Sequence, residues 1–450
     1  MKKTETHKRL AELAKVIEKN NIIPQEIYEQ NNVKRGLRNA NGTGVLVGIT
    51  HVGSVIGYEK INDQKIPVEG QLHYRGISIF DLVDGFQKDH RLGFEETTYL
   101  LLFGHLPNPV QLKEFIEMLE DARTLPQSYK EDVIFKIPAV NLMNKLQRTV
   151  LTLYSYDDNP DDISTENVLR QSIDLIAKLP LLTAYSYQAK KHYFDHESLV
   201  IHTPKKGCGT AENFLYLIRS NGTYTYEEVE ILDLLMVIQA EHGGGNNSAF
   251  ATHVVSSTGT DTYAAISTAI GSLKGPKHGG ANAMVDAMIK DIKNHVSDSD
   301  DLQLKDYLRK ILNKETFDQK GLIYGLGHAV YTLSDPRAIL LKQKAEALAK
   351  HKGRLDEFTL ISKIESIGCE LINSKVKNDN RIAANVDLYA GFVLEMLGIP
   401  QELFTPIFAF SRIAGWSAHR LEQILDDKIM RPAYVTLRDN AQYIPMKERK

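Results

Sequence analysis

Cysteine is nearly absent from these 450 residues: Cys208 and Cys369 are the only two. They lie far apart and outside any metal-ligand spacing, which excludes a disulfide framework and a thiolate zinc site and fits a reduced intracellular setting. No apolar run approaches the roughly 20 residues that span a bilayer. The densest, Tyr99 to Phe103 and Leu234 to Ile238, fall far short. The first residues, MKKTETHKRLAELAKVIEKN, lack the apolar core of a secretion signal. Neither sign of charge is in excess, with a formal net charge of −3, so nothing points to a nucleic-acid or membrane partner. Repeats and low-complexity tracts are missing too. A cytoplasmic protein is expected, of ordinary globular composition and long enough for two domains.

What the sequence does contain is concentrated between Glu241 and Asn282, EHGGGNNSAFATHVVSSTGTDTYAAISTAIGSLKGPKHGGAN. His242 is followed by three glycines, and Pro276-Lys277-His278-Gly279-Gly280 stands at the other end. Glycine beside histidine lets a ligand or another backbone approach the imidazole closely. Helix-ending glycines and histidines held by packing would account for either site alone. Two such sites joined by helices rich in Ala, Ser and Thr are harder to explain that way.

Along the chain, Leu10, Leu13, Val16 and Ile17 recur at helical spacing and predict an amphipathic surface helix over 5–20. From Gly44 to Gly76, β-branched residues alternate with Gly, Asn-Asp and Pro breaks, predicting a few short strands. Beyond Gly76 strand signals nearly vanish. Phe94 to Phe103 reads as a buried helix stopped by Gly104 and Pro107. The acidic patches Asp157 to Asp162 and Ser297 to Asp301 read as solvent loops. Thr225-x-x-Glu228 is a capping box opening a helix that turns apolar on nearly every face and delivers His242 into the interior at its C-terminal end. Asp261 caps the next small-residue helix, which Gly275-Pro276 breaks before His278. His328 stands in a further glycine-rich turn within Gly321 to Arg337, Asp387 precedes a helix, and Phe408 to Arg412 begins one carrying the only tryptophan, Trp416. The fold class expected is mainly α, with a small β appendage near the N-terminus.

Three histidines, an aspartate and several arginines therefore stand in glycine-punctuated contexts. Arg337, Arg412 and Arg431 offer planar forks suited to a small polycarboxylate anion. Asp387, among Val386, Leu388 and Tyr389, could serve as general base toward a weakly acidic C–H, with neutral histidines polarising carbonyl oxygens. Against this, Asp387 could simply cap its helix, and the arginines could be ordinary ion-pairing residues. Zinc is the rival of a different class, but no HExxH-type spacing occurs and the three histidines lie on separate segments among arginines.

These segments resemble the citrate synthase family over most of the chain, from about Gly36 to Arg431. GPKHGGAN (275–282), GLGHAVYTLSDPRA (325–338), NVDLYAG (385–391), FAFSR (408–412) and EHGGGN (241–246) match five of its signatures in order, and FEETTYLLLFGHLP (94–107) is similar to a family segment without chemistry. The resemblance implies a two-domain helical fold: a large domain over 1–280, a small one over 281–398, and a return to the large domain with a C-terminal tail over 399–450. It implies condensation of acetyl-CoA with oxaloacetate through an enol, then hydrolysis of citryl-CoA, with no cofactor and no metal. His278 would bond the thioester oxygen while Asp387 takes a methyl proton; His328 would polarise and protonate the ketone. His242, Arg337 and Arg412 would hold oxaloacetate, joined by Arg431 of the second subunit of a homodimer, and Phe408 would pack against the intermediate. Many bacterial relatives carry Arg and Lys where Ala329 and Thr332 stand here, so CoA contacts are assigned to Leu326, Gly327, Lys375, Lys377 and Arg381. The β-rich extension of NADH-inhibited enzymes has no counterpart, so that regulation is not expected. The alternatives are 2-methylcitrate synthesis from propionyl-CoA and a non-catalytic CoA-binding relative.

Overall fold

A computed structural model describes residues 3–39, 42–61, 64–296, 300–376, 381–437 and 441–449. Lys377, and 297–299 of the second acidic patch, lie outside them. The chain divides into two compact units, Met1–Gly48 with Arg431–Lys450, and Ile49–Met430. The first unit contains the helix Lys3–Asn21, on which Leu10, Leu13, Val16 and Ile17 are all exposed.

The second unit is built from helices and one three-stranded antiparallel sheet in the order β1 (Gly53–Ile61), β2 (Gln64–Tyr74), β3 (Ile77–Ser78). The register of β1 on β2 shifts between Ile56 and Tyr58. The carbonyl of Gly57, at that irregularity, accepts from Thr332 Oγ1 at 3.1 Å, and the N–H of Gly70 on β2 donates to Ser334 Oγ at 3.0 Å. The hairpin thus lies against the 328–336 segment.

The helix Phe404–Asp426 is buried on nearly every face and runs through the core, with Phe410, Ile413 and Trp416 fully buried. Each such large side chain contributes about 1.5–3 kcal/mol on burial. Against it pack Thr165–Phe194, Asn247–Ser256 and Thr262–Lys274. Small residues in the last two let the backbones come close. Local signals operate as the sequence predicts: Gly104 ends Phe94–Phe103 with φ +83°, Thr225 and Glu228 form a reciprocal capping box, and Asp261 caps Thr262–Lys274. Two expectations need correction. Asp157 is not a solvent residue; its carboxylate accepts from Arg170, Gln171 and Tyr263, because a buried charge must be paired. The helix before His242 ends at Gln239, three residues earlier than expected.

Candidate active site

That early ending places His242. The carbonyls of Gln239 and Ala240 turn away from their own helix to accept from Arg412 Nε and, at 3.2 Å, the Gly415 N–H, both on the Phe404–Asp426 helix. The Tyr74 hydroxyl lies 3.0 and 3.1 Å from the carbonyls of Val237 and Glu241. Glu241 then accepts from the Gly243 N–H. Gly243 has φ +80°, a conformation only glycine adopts cheaply. His242 is thereby buried, with Nε2 left without a hydrogen-bond partner. Its ring lies 5.1 Å from that of His328 and 5.5 Å from that of Tyr331. Burial, then the charges of Arg337 and Arg412, hold its pKa well below the ordinary histidine value, so it is neutral.

His328 and Asp387 are brought together by a short backbone pairing. Leu326 bridges Ala384, the Gly327 N–H donates to Ala383 O at 2.8 Å, and Asn385 Nδ2 donates to Gly327 O at 2.8 Å. His328 Nδ1 accepts from the N–H groups of Val330 and Tyr331 at 3.1 and 3.2 Å. With Nδ1 an acceptor, the ring carries its proton on Nε2. Asp387 is the first residue of the helix Asp387–Met396, whose N-cap is Val386, so its carboxylate is not spent as a cap. With the Asn282 amide oriented nitrogen toward the carboxylate, Nδ2 donates to Asp387 Oδ1 at 2.9 Å. Burial pushes the Asp387 carboxyl up to about 6, against the pull of Arg337.

His278 Nε2 lies 3.0 Å from Ser248 Oγ, which also accepts from the Trp416 indole N–H at 3.1 Å. The Ser248 hydroxyl donates to Asn246 Oδ1 at 3.0 Å; turned instead to His278 Nε2, it leaves the His278 proton on Nδ1. Burial, followed by Arg412, lowers the His278 pKa to about 4. The Phe408 ring lies 6.2 Å from His278 and 4.7 Å from Arg412 Cζ.

Arg337 and Arg412 differ sharply. Arg337 spends Nε (3.0 Å) and Nη2 (2.7 Å) on Asp335, the N-cap of its own helix. Arg412 is fully buried, and both its terminal nitrogens lack a hydrogen-bond partner. Burial without a pair lowers its pKa to about 10. Four unpaired N–H donors in a site already holding an orphaned imidazole nitrogen call for an anion.

His242, His328, Asp387, Arg337, Arg412, His278 and Phe408 are thus linked by ring contacts, hydrogen bonds or mutual charge. Leu326 and Gly327 adjoin the Asp387 segment through the bridge to 383–385. Lys375 and Arg381 are exposed, and Asn373 and Ile382 beside them are joined by paired hydrogen bonds. Arg431 belongs to the other unit, where it is exposed in irregular backbone. Sequence reasoning missed Glu241, Ser248, Asn282 and Asp335. Asp335 had a signal, since Asp-Pro-Arg places a capping carboxylate two residues before the guanidinium. Ser248 had none, as His278 and Trp416, which it meets, stand 30 and 168 positions away.

A family profile described as "Citrate synthase, C-terminal domain" matches residues 41–433. The chain is 34% identical over 384 residues to citrate synthase 2 of Bacillus subtilis (strain 168), covering 85% of this chain and 94% of that one. It is 31% identical over 379 residues to the 2-methylcitrate synthase of Shewanella oneidensis, with 84% and 90% covered. The crystal structure of citrate synthase from Thermotoga maritima MSB8 superposes with a TM-score of 0.73 at 28% identity, covering 93% of this chain and 99% of that one.

Proposed function

The chain belongs to the citrate synthase family of acyltransferases, and from that premise we propose how its residues condense acetyl-CoA with oxaloacetate and release citrate and CoA. Asp387 removes a methyl proton from the thioester while His278 donates from Nδ1 to the thioester oxygen, so an enol forms without a free carbanion. That role requires the Ser248 hydroxyl to turn from Asn246 and donate to His278 Nε2. His328, protonated on Nε2, hydrogen-bonds the oxaloacetate ketone and delivers its proton as the new C–C bond forms. His242, Arg412 and the part of Arg337 not spent on Asp335 hold the oxaloacetate carboxylates. Phe408 packs beside the intermediate, and hydrolysis of citryl-CoA follows in the same site. The scheme needs no metal or organic cofactor, acetyl-CoA being a substrate.

The observation that carries this reading is Arg412, a fully buried guanidinium whose terminal nitrogens have no partner within the protein. Leu326, Gly327, Lys375, Lys377 and Arg381 are the proposed CoA contacts. The segment 281–398 acts as a small domain that closes on the large one. A homodimer, with Arg431 acting on its partner's oxaloacetate, is supported by the apolar side chains exposed on the unit carrying Arg431: Leu10, Leu13, Ile17, Tyr434 and Tyr443. A cytoplasmic location fits the cysteine usage, and among the described residues no helix is long and apolar enough to cross a membrane.

2-Methylcitrate synthesis is the second reading, favoured by the Shewanella relative's matching at nearly the same identity. Replacement of the base tests the mechanism. Asp387→Ala should lower turnover by on the order of 10³-fold or more while oxaloacetate still binds. Near-normal turnover of the folded variant would sink the assignment.

A further inference from the structure

Behind His242 lies a second pair of histidines that the reaction does not use. Arg412, Gly415, His419 and Gln423 follow one another at three- and four-residue steps, along one face of the Phe404–Asp426 helix. The 239–241 backbone runs against this stripe: Gln239 on Arg412, Ala240 on Gly415, Glu241 on His419. His419 Nε2 lies 3.0 Å from Glu241 Oε1, and His419 Nδ1 lies 3.1 Å from His253 Nε2. His253 Nδ1 lies 2.9 Å from Gln423 Oε1. The Gln423 amide nitrogen faces Asp426 Oδ2 and Lys428 O, so its oxygen faces His253 and can only accept.

The chain therefore ends in an acceptor on both sides. It contains three hydrogen bonds and needs three protons, whereas two neutral imidazoles supply two. A proton on Glu241 Oε1, donated to His419 Nε2, would also complete the count, but the Gly243 N–H on that oxygen and the nearby charge of Arg412 favour the ionised carboxylate. We propose that His253 and His419 are positioning residues that share one extra proton, and that this cation, paired with Glu241, holds the 241–243 turn that presents His242 to oxaloacetate. The inference rests on the assignment of oxaloacetate to His242, Arg337 and Arg412.

The surroundings agree. Burial alone would raise the Glu241 pKa, yet His419 and then Arg412 hold it below the usual carboxylate range. Burial, then His419, holds the His253 pKa below the ordinary histidine value. The other charged groups nearby are Glu422, whose Oε2 is 4.0 Å from His419 Nδ1, His51 bound to Glu422 at 3.3 Å, and Arg75, which feels both Glu422 and Glu241. None supplies the missing proton to the His253–His419 bond.

The test is a double-mutant cycle on the full-length enzyme with Glu241→Gln, His419→Gln and the pair together. Each single change should raise the oxaloacetate KM by about 10-fold or more, leaving kcat within about 3-fold, because one buried charge loses its partner. The double variant, with two neutral amides, should return to within about 3-fold of wild type. Losses that add in the double variant, or a normal His419→Gln enzyme, would overturn the proposal. Should His419→Gln fail to fold, His253 decides. His253→Gln keeps an acceptor for the His419 proton and should behave as wild type, whereas His253→Leu should raise KM; equal behaviour of the two overturns the idea. His253, His419 and Glu422 also have the donor set of a metal site. Elemental analysis of purified enzyme should find no stoichiometric metal, and one metal per chain that disappears in His253→Gln would replace the proton. Absence of oxaloacetate-dependent turnover in the wild type would refute the activity reading instead. Thermal melting of the same four proteins would then judge the Glu241–His419 pair by whether its effects add.

Discussion

Burial shifts two groups of the site in opposite directions. It lowers His278 to about 4, keeping a neutral imidazole that can donate a hydrogen bond, and raises Asp387 to about 6, making a carboxylate more basic than one in water. The sign of the pH dependence follows, since a protonated Asp387 cannot accept the methyl proton. Below about pH 6, kcat/KM for acetyl-CoA should fall roughly tenfold per unit as Asp387 protonates, with His278 still neutral over that window. A profile flat down to about pH 4.5 would show that Asp387 is not the base. Residues of this kind were legible in the sequence because their glycine-rich or Asn-Val-Asp contexts mark them locally. Those that orient them were not. Asn282 acts across to Asp387 and Ser248 to His278, and no local pattern encodes a partner on another element.

At the scale of elements, the helix Phe404–Asp426 organises the site. Its sequence showed an apolar segment with an arginine and a tryptophan. Gly415, however, is where a neighbouring backbone enters: a Cβ there would stand 2.3 Å from Glu241 Oε2 and 2.5 Å from Ala240 O. Gly415→Ala should therefore cost about 1–3 kcal/mol by overpacking, lowering Tm by several degrees and weakening oxaloacetate binding with it. A variant that melts and binds as wild type would mean that the 239–241 segment yields freely. The same contact explains why helical periodicity overran the end of the Tyr226–Gln239 helix. The apolar pattern continues through Ala240, but the carbonyls of Gln239 and Ala240 are claimed by another helix, a tertiary effect that propensity does not contain.

For the whole molecule, the helical class and the β appendage followed from periodicity, with strand signals confined to one stretch that folds as a hairpin and a short third strand. Assembly is less readable, because a residue acting in a partner looks like any exposed arginine. Arg431→Ala and Asp387→Ala chains should each be nearly inactive alone. Co-expressed, their heterodimer contains one site with both residues intact if Arg431 acts in trans, so activity should return to up to about half of wild type. A heterodimer as inactive as its parents would place Arg431 in its own subunit's site or outside any site.

The account's central claim is the reaction, and steady-state thiol release by the purified wild-type enzyme tests it most directly, with acetyl-CoA and propionyl-CoA compared at saturating oxaloacetate. One methylene is worth roughly 1–3 kcal/mol, so the two acyl-CoA substrates should differ by 10- to 200-fold in kcat/KM. The account predicts oxaloacetate-dependent release that is faster with acetyl-CoA and yields citrate. Preference for propionyl-CoA would make the enzyme a 2-methylcitrate synthase, and thiol release that ignores oxaloacetate, or none with either substrate, would contradict the account.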